Sequence, residues 1–166
     1  MPISKNHMAQ RLYLLVSAVL MAIVSQSSLA HFLVLDAGFS YNLTCTKLVN
    51  SITGETVSGA PWALMVLAIL IALLSLFALF LVFYQNYALQ KRVTIYTMLV
   101  TVGFLLTYAG FYFYYKNQLN VITAEITWWA VAVPVVVLIL LFMAFLAIRK
   151  KEASVIFEAS SFRLRD

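Results

Sequence analysis

"RLYLLVSAVLMAIVSQSSLAHF", residues 11–32, supports two readings. In one it is a signal peptide, with Arg11 in a basic start, an apolar stretch over 12–24, a polar break "SQSS", and a small-x-small cleavage site formed by Ser28 and Ala30. In the other it is a membrane span that stays in place. The continuation "HFLVL" keeps the chain free of formal charge over 12–35, which is longer than a signal needs and favours retention. Cleavage after Ala30 would leave a three-span variant of the protein, and retention leaves four. This one stretch therefore sets the number of crossings and the side on which the N-terminus lies.

The rest of the chain is of the same kind. Of its 166 residues, 64% are hydrophobic and 10% charged, with a mean hydropathy of +0.96. A soluble domain is closer to half apolar and a quarter charged. Besides 12–30, uncharged apolar runs cover 62–84, 93–115 and 126–148. At about 1.5 Å per helical residue each reaches roughly 28–35 Å, enough for a hydrocarbon core of about 30 Å. None has the period-two alternation of a barrel strand, so each is read as a helix, with all backbone hydrogen bonds made internally. The expected fold is an all-α integral membrane protein. Residues 1–166 form a single domain with four spans, an outer loop at 31–61 and a cytoplasmic tail at 149–166.

Charge placement orients it. With the N-terminus inside, the cytoplasmic side holds nine cations: Lys5, Arg11, Lys91, Arg92, Arg149, Lys150, Lys151, Arg163 and Arg165. The outer side holds Lys47 and Lys116, so both termini are expected in the cytoplasm. The formal charge of +5 sits beside apolar runs, which points to anionic lipid head groups rather than nucleic acid. Trp62, Tyr84, Tyr87, the aromatic run at 112–115, Trp128 and Trp129 fall at span ends, where amphipathic rings suit the head-group zone.

The connections around "QNYALQKR" and "KNQLNVITAE" are short, and each is expected to close an antiparallel helical hairpin. In the longer loop, "SYNLTCTKLV" alternates, placing Tyr41, Leu43, Cys45 and Val49 on one face with Lys47 as the misfit. A small β-hairpin or two short strands are expected there. Pro134 removes the usual donor to the Ala130 carbonyl and predicts a kink in the fourth helix. Ala18 and Ala22, and Gly103, Thr107 and Gly110, are small residues at spacings that let helices approach closely.

The spans contain no Asp, Glu, Lys, Arg or His, so the ion- or proton-coupling groups of many transporters and pumps are missing at depth. Ser17, Ser75, Thr97 and Thr101 can bond back to their own helices. Cys45 is the one cysteine, which removes an internal disulfide, a CxxC pair and a thiolate metal cluster. As an outer-loop residue it is expected to meet an impermeant thiol reagent if the loop leaves it open. His7 and His31 lie at opposite ends of the first span and cannot share one metal or haem. Asp36, Glu55 and Glu125 define no acid–base site, and "NLT" at 42–44 is a glycosylation sequon only in a eukaryotic secretory pathway. No catalytic, cofactor or metal residue is expected. Arg149, Lys150, Lys151, Arg163 and Arg165, which bracket "ASVIFEASSF", are the candidates for lipid head-group or partner contact, from an anchored tail, a surface helix or a docking segment.

"AQRLYLLVSAVLMAIV", "YALQKRVTIYTMLVTVGF" and "LLFMAFLAIRKKEASV…FRLR" together resemble the four-span inner-membrane proteins of Bacteroidota grouped as domain of unknown function four-two-nine-three. The resemblance rests on Gln10-Arg11, on residues 89–92, and on Lys150, Glu152, Val155 and Arg163-Leu164-Arg165. It implies a retained first span, cytoplasmic termini and a bacterial inner membrane, and supplies no reaction. The expected role is a non-enzymatic accessory or stabilising subunit among other inner-membrane proteins. Two alternatives follow: a transporter of an apolar or lipidic substrate, and an enzyme with its residues at the outer surface.

Overall fold

A computed structural model describes residues 3–34, 39–119 and 121–163. Its elements follow in the order α1 (Ile3–Gln26), β1 (Ser28–Val34), β2 (Ser40–Thr44), β3 (Leu48–Asn50), β4 (Thr56–Ser58), α2 (Trp62–Phe83), α3 (Tyr87–Gln118), β5 (Val121–Ile126) and α4 (Trp128–Arg163). Each helix is long and apolar enough to cross a membrane.

The helices close a ring in chain order, with α1 against α2 and α4, and α3 against α2 and α4. Leu14, Met21, Ile71, Phe104, Val137 and Leu141 fill its interior, while Leu73, Phe80, Leu99, Leu106, Ile139 and Phe142 face outward and exposed. Apolar residues thus lie on both faces of these helices. Polar side chains lie inside: Ser17, Ser75, Thr94, Thr97 and Thr101 are all buried. In water that distribution would leave large apolar patches uncovered, and in hydrocarbon it leaves none.

Helix ends follow local chemistry. Pro61 precedes α2, where its ring costs no hydrogen bond and its φ of −63° already suits a helix. Asn86 caps α3, its side chain accepting from the Leu89 N–H at 3.3 Å. Between them Gln85 takes a left-handed φ of 54°, which lets α2 reverse into α3 over three residues at the price of local strain.

At the other end the strands form one antiparallel sheet in the order β4-β3-β2-β1-β5. The first apolar run therefore does not continue as helix to residue 30. Ser27 donates back to the Val24 carbonyl at 3.1 Å, and the chain then leaves as β1, with Ala30 and Phe32 buried and His31 and Leu33 exposed. Ala30 lies opposite both Leu43 and Ile126, so the small-x-small site is inside the central part of a sheet, directly continuous with a helix that supplies Leu14, Ala18, Met21 and Val24 to the core.

Several sequence expectations need correction. The fold is mostly helical, and the β structure expected in the 31–61 loop is part of a five-stranded sheet. The 31–61 loop holds more than a hairpin, and the sheet also draws β5 from the α3–α4 connection, where a simple helical hairpin is expected. Alternation does not run through Lys47: Thr44 and Lys47 close a turn, with the Thr44 N–H donating to the Lys47 carbonyl at 3.0 Å, so Leu48 and Asn50 face inward and Val49 does not. A second turn at Gly54, with φ of 70°, joins β3 to β4. α3 starts before residue 93, α4 starts at Trp128 rather than 126, and α4 runs through Pro134 and past 148 to Arg163 without an assigned break. Ala18 is buried but Ala22 is exposed, and a Cβ placed on Gly103 or Gly110 would meet nothing within 4 Å. Those glycines are not sites of close helix approach.

Candidate functional site

The end of the bundle opposite the sheet gathers residues that are far apart in sequence. α1 begins there, the Gln85 reversal closes there, and α4 passes it as a continuous helix. Lys91, one turn into α3, pairs with Glu152 of α4 through Nζ and Oε2 at 2.7 Å. Beside this ion pair, a hollow of about 540 Å³ lies between the reversal, from Tyr84 to Ala88, and the α4 residues Val155 and Ile156. The Lys151 ammonium lies 5.2 Å from the centre of the Tyr87 ring, and the Arg11 guanidinium 4.6 Å from that of Phe83. Gln10 is buried next to Arg11 in sequence, and Gln90 is buried with its Nε2 donating to the Ala78 carbonyl at 3.5 Å.

Of the candidate contact residues, Arg149 and Lys150 are exposed on α4, and Lys151 is half-buried against Tyr87. Arg163 is the last residue of α4, and Arg165 lies outside the described residues. The tail is thus helical to its described end. At about 1.5 Å per residue the 36 residues of α4 reach roughly 54 Å, well beyond one bilayer core. The excess carries Val155, Ile156 and Phe157 exposed on its surface. Lys91–Glu152 is the feature that sequence reasoning missed, although both residues sit in the stretches that carry the family resemblance.

The sheet end is built differently. Phe32 is fully buried and meets the Tyr112 ring at 5.7 Å, and Tyr108 donates to the Leu29 carbonyl at 3.0 Å, tying α3 to the root of β1. A cleft of about 800 Å³ opens between the last turns of α3 and the β3–β4 edge, with Thr107, Gly110 and Phe111 on one side and Leu48 and Val57 on the other. Tyr115 crosses to the sheet, its hydroxyl donating to Ser58 Oγ at 3.0 Å.

Cys45 is fully buried below the sheet, with Sγ donating to the Val24 carbonyl at 3.4 Å. Burial pushes its thiol from 9.0 up to about 11, so this cysteine is shielded from reagents rather than open to them. His31 is exposed on β1, and its Nδ1 pairs with Asn42 Oδ1 of β2, which places the sequon asparagine within the sheet. Asp36 lies outside the described residues, and Glu55, in the β3–β4 turn, and Glu125, on β5, are both exposed. Inside the bundle the hydroxyls are mostly self-satisfied: Ser17 donates to Leu14, Thr97 to Val93 and Thr101 to Thr97, each at 2.8 Å. Ser75 Oγ and Gln10 Nε2 are buried with no partner among the described residues.

Residues 9–156 match the model of a family described as Domain of unknown function (DUF4293). The chain belongs to this family. The matched span takes in all five strands, the whole of α2 and α3 and both members of the Lys91–Glu152 pair, so the two-ended architecture lies within the DUF4293 region. No curated protein matches the chain at a significant level.

Proposed function

We propose that this DUF4293 protein is a non-enzymatic, four-span protein of a bacterial inner membrane, with both termini in the cytoplasm, and that it acts by contact as an accessory or stabilising subunit of a larger membrane assembly. The observation that carries this reading is the basic end. Lys91 and Glu152, from separated segments, form an ion pair there, Arg11 lies over the Phe83 ring, and α4 continues beyond them as a helix displaying Val155, Ile156 and Phe157. A helix carrying exposed cations at Arg149 and Lys150 next to an apolar patch can meet anionic lipid and protein together. The spans support the membrane setting through their buried hydroxyls and outward apolar side chains. The nine-to-two cation count supports the orientation.

Affinity purification of the full chain from a gentle detergent extract, followed by mass spectrometry, tests the role. A stoichiometric membrane partner is expected, and a Glu152→Lys, Phe157→Asp double variant is expected to lose it. A wild-type protein that migrates alone would overturn the subunit reading. The cleft at the sheet end favours a second reading, transport of an apolar or lipidic substrate, since such cargo needs no buried charge. Vesicle-to-vesicle movement of a fluorescent lipid by the purified chain alone would favour it over the first.

A further inference from the structure

We propose that the cleft between α3 and the β3–β4 edge binds a single uncharged amphiphile, with its hydrocarbon tail along α3 and a carbonyl-bearing head group hydrogen-bonded to Ser58. The inference rests on the membrane setting proposed above and adds a ligand site to it.

Volume and shape come first. About 800 Å³ is within the roughly 300–1,000 Å³ range of small-molecule pockets. Gly110 forms part of the wall, and a Cβ there would meet nothing within 4 Å, so the missing side chain enlarges the cleft rather than serving a helix contact. Leu48, Val57 and Phe111 make the walls largely apolar. Depth follows from Tyr108, whose bond to the Leu29 carbonyl marks the level at which α3 meets the sheet. Thr107 and Gly110 are next to that level, so the cleft lies at the boundary between bundle and sheet. That is where the tail and head of an amphiphile part.

The head-group chemistry follows from the polar atoms. Among the described residues, no Asp, Glu, Lys, Arg or His lines the cleft, so a charged head would enter it without a counter-ion there, at a large desolvation cost. Thr107 donates to the Gly103 carbonyl at 2.8 Å and Tyr115 to Ser58, so neither has a proton to offer. Ser58 Oγ accepts from the Tyr115 hydroxyl at 3.0 Å and from the Ala60 N–H at 3.3 Å. Both its lone pairs are then occupied, and its own O–H has no acceptor among the described residues. The wall therefore presents the Ser58 hydroxyl as a donor, and Tyr114 and Gln118 add a second hydroxyl and an amide to the lining. An ester or amide carbonyl on an uncharged head meets both needs.

The test uses the full chain in phosphatidylcholine nanodiscs, irradiated with a monoacylglycerol carrying a diazirine in its tail, and the adducts are mapped by mass spectrometry. Adducts are expected to concentrate on 107–119 rather than on the outward face of α2 around Phe77 and Phe80. Gly110→Leu should reduce them to the α2 level. Gly103→Leu makes the same change two turns away, outside the cleft and also in open space, and should leave them unchanged. Ser58→Ala should weaken labelling about three- to tenfold, as expected for one lost hydrogen bond. A fatty-acid probe, with the same tail and a carboxylate head, should label the cleft less than the monoacylglycerol. Equal labelling of α2 and α3, indifference to Gly110→Leu, or equal use of the fatty acid would each overturn the site while leaving the membrane setting intact. Labelling of neither helix would overturn the site and the membrane setting together.

Discussion

The two ends of this molecule are held by different forces. At the sheet end, backbone ladders and fully buried side chains such as Phe32, Leu43 and Leu48 bring β1, β2, β3 and β5 over the helix termini. At the basic end, helices are joined by one three-residue reversal and by charges that remain partly solvated, Lys91 and Glu152 each being 32% exposed. A domain that stands in water has the hydrophobic effect to draw on, whereas helices surrounded by lipid must rely on packing and hydrogen bonds. Stability is thus concentrated in the sheet end, while the partly solvated Lys91–Glu152 contact at the basic end can be exchanged at little cost.

The largest expected effect is at the sheet end. Phe32→Ala removes a buried ring packed against Tyr112 and should destabilise the protein by about 3–5 kcal/mol, read as a lowered midpoint of thermal unfolding in detergent. Tyr108→Phe keeps the ring and removes one of two hydrogen bonds to the Leu29 carbonyl, which still accepts from the Thr127 N–H at 3.2 Å, and should cost about 0.5–1.5 kcal/mol in the same assay. At the basic end Lys91→Ala should cost less than about 1 kcal/mol, because both partners are a third exposed and water takes over their solvation. If Lys91→Ala destabilised the protein as much as Phe32→Ala, the contrast between the ends would be wrong.

Cys45 gives a graded test of the same contrast. Its neutral thiol is favoured by folding, so the stability it contributes is present below its ordinary value of 9.0 and is lost as pH rises toward about 11. Maleimide labelling of the folded protein at pH 7.5 should be slow. It should accelerate with rising pH, and unfolding should abolish the protection. Rapid labelling at neutral pH would mean that the sheet does not seal this thiol.

The four helices were legible because span length and charge exclusion are local properties of 12–30, 62–84, 93–115 and 126–148. The sheet was only half legible. "SYNLTCTKLV" shows its alternation, but "SLAHFLV" is hidden at the end of an apolar run, and "VITAEI" is half exposed and becomes a strand because β1 lies beside it. Strand formation depends on such neighbours more than on intrinsic preference. The site residues show the same division. Arg149, Lys150 and Lys151 are visible as cations at a span end, whereas the Lys91–Glu152 pair joins residues 61 positions apart, and only the fold brings them together. Gly110 was visible as a small residue, but its use in a cleft rather than a helix contact depends on the course of β3 and β4 around it.

In the proposed four-span orientation the two ends face opposite sides of one membrane. In a Cys45→Ala background, Glu55→Cys places a thiol in the exposed β3–β4 turn, and Ala88→Cys places one at the exposed start of α3. Spheroplasts treated with an impermeant maleimide should label the cysteine at 55 while intact and the cysteine at 88 only after lysis. Labelling of both before lysis, or of 88 alone, would contradict a four-span protein whose sheet lies outside and whose basic end lies in the cytoplasm.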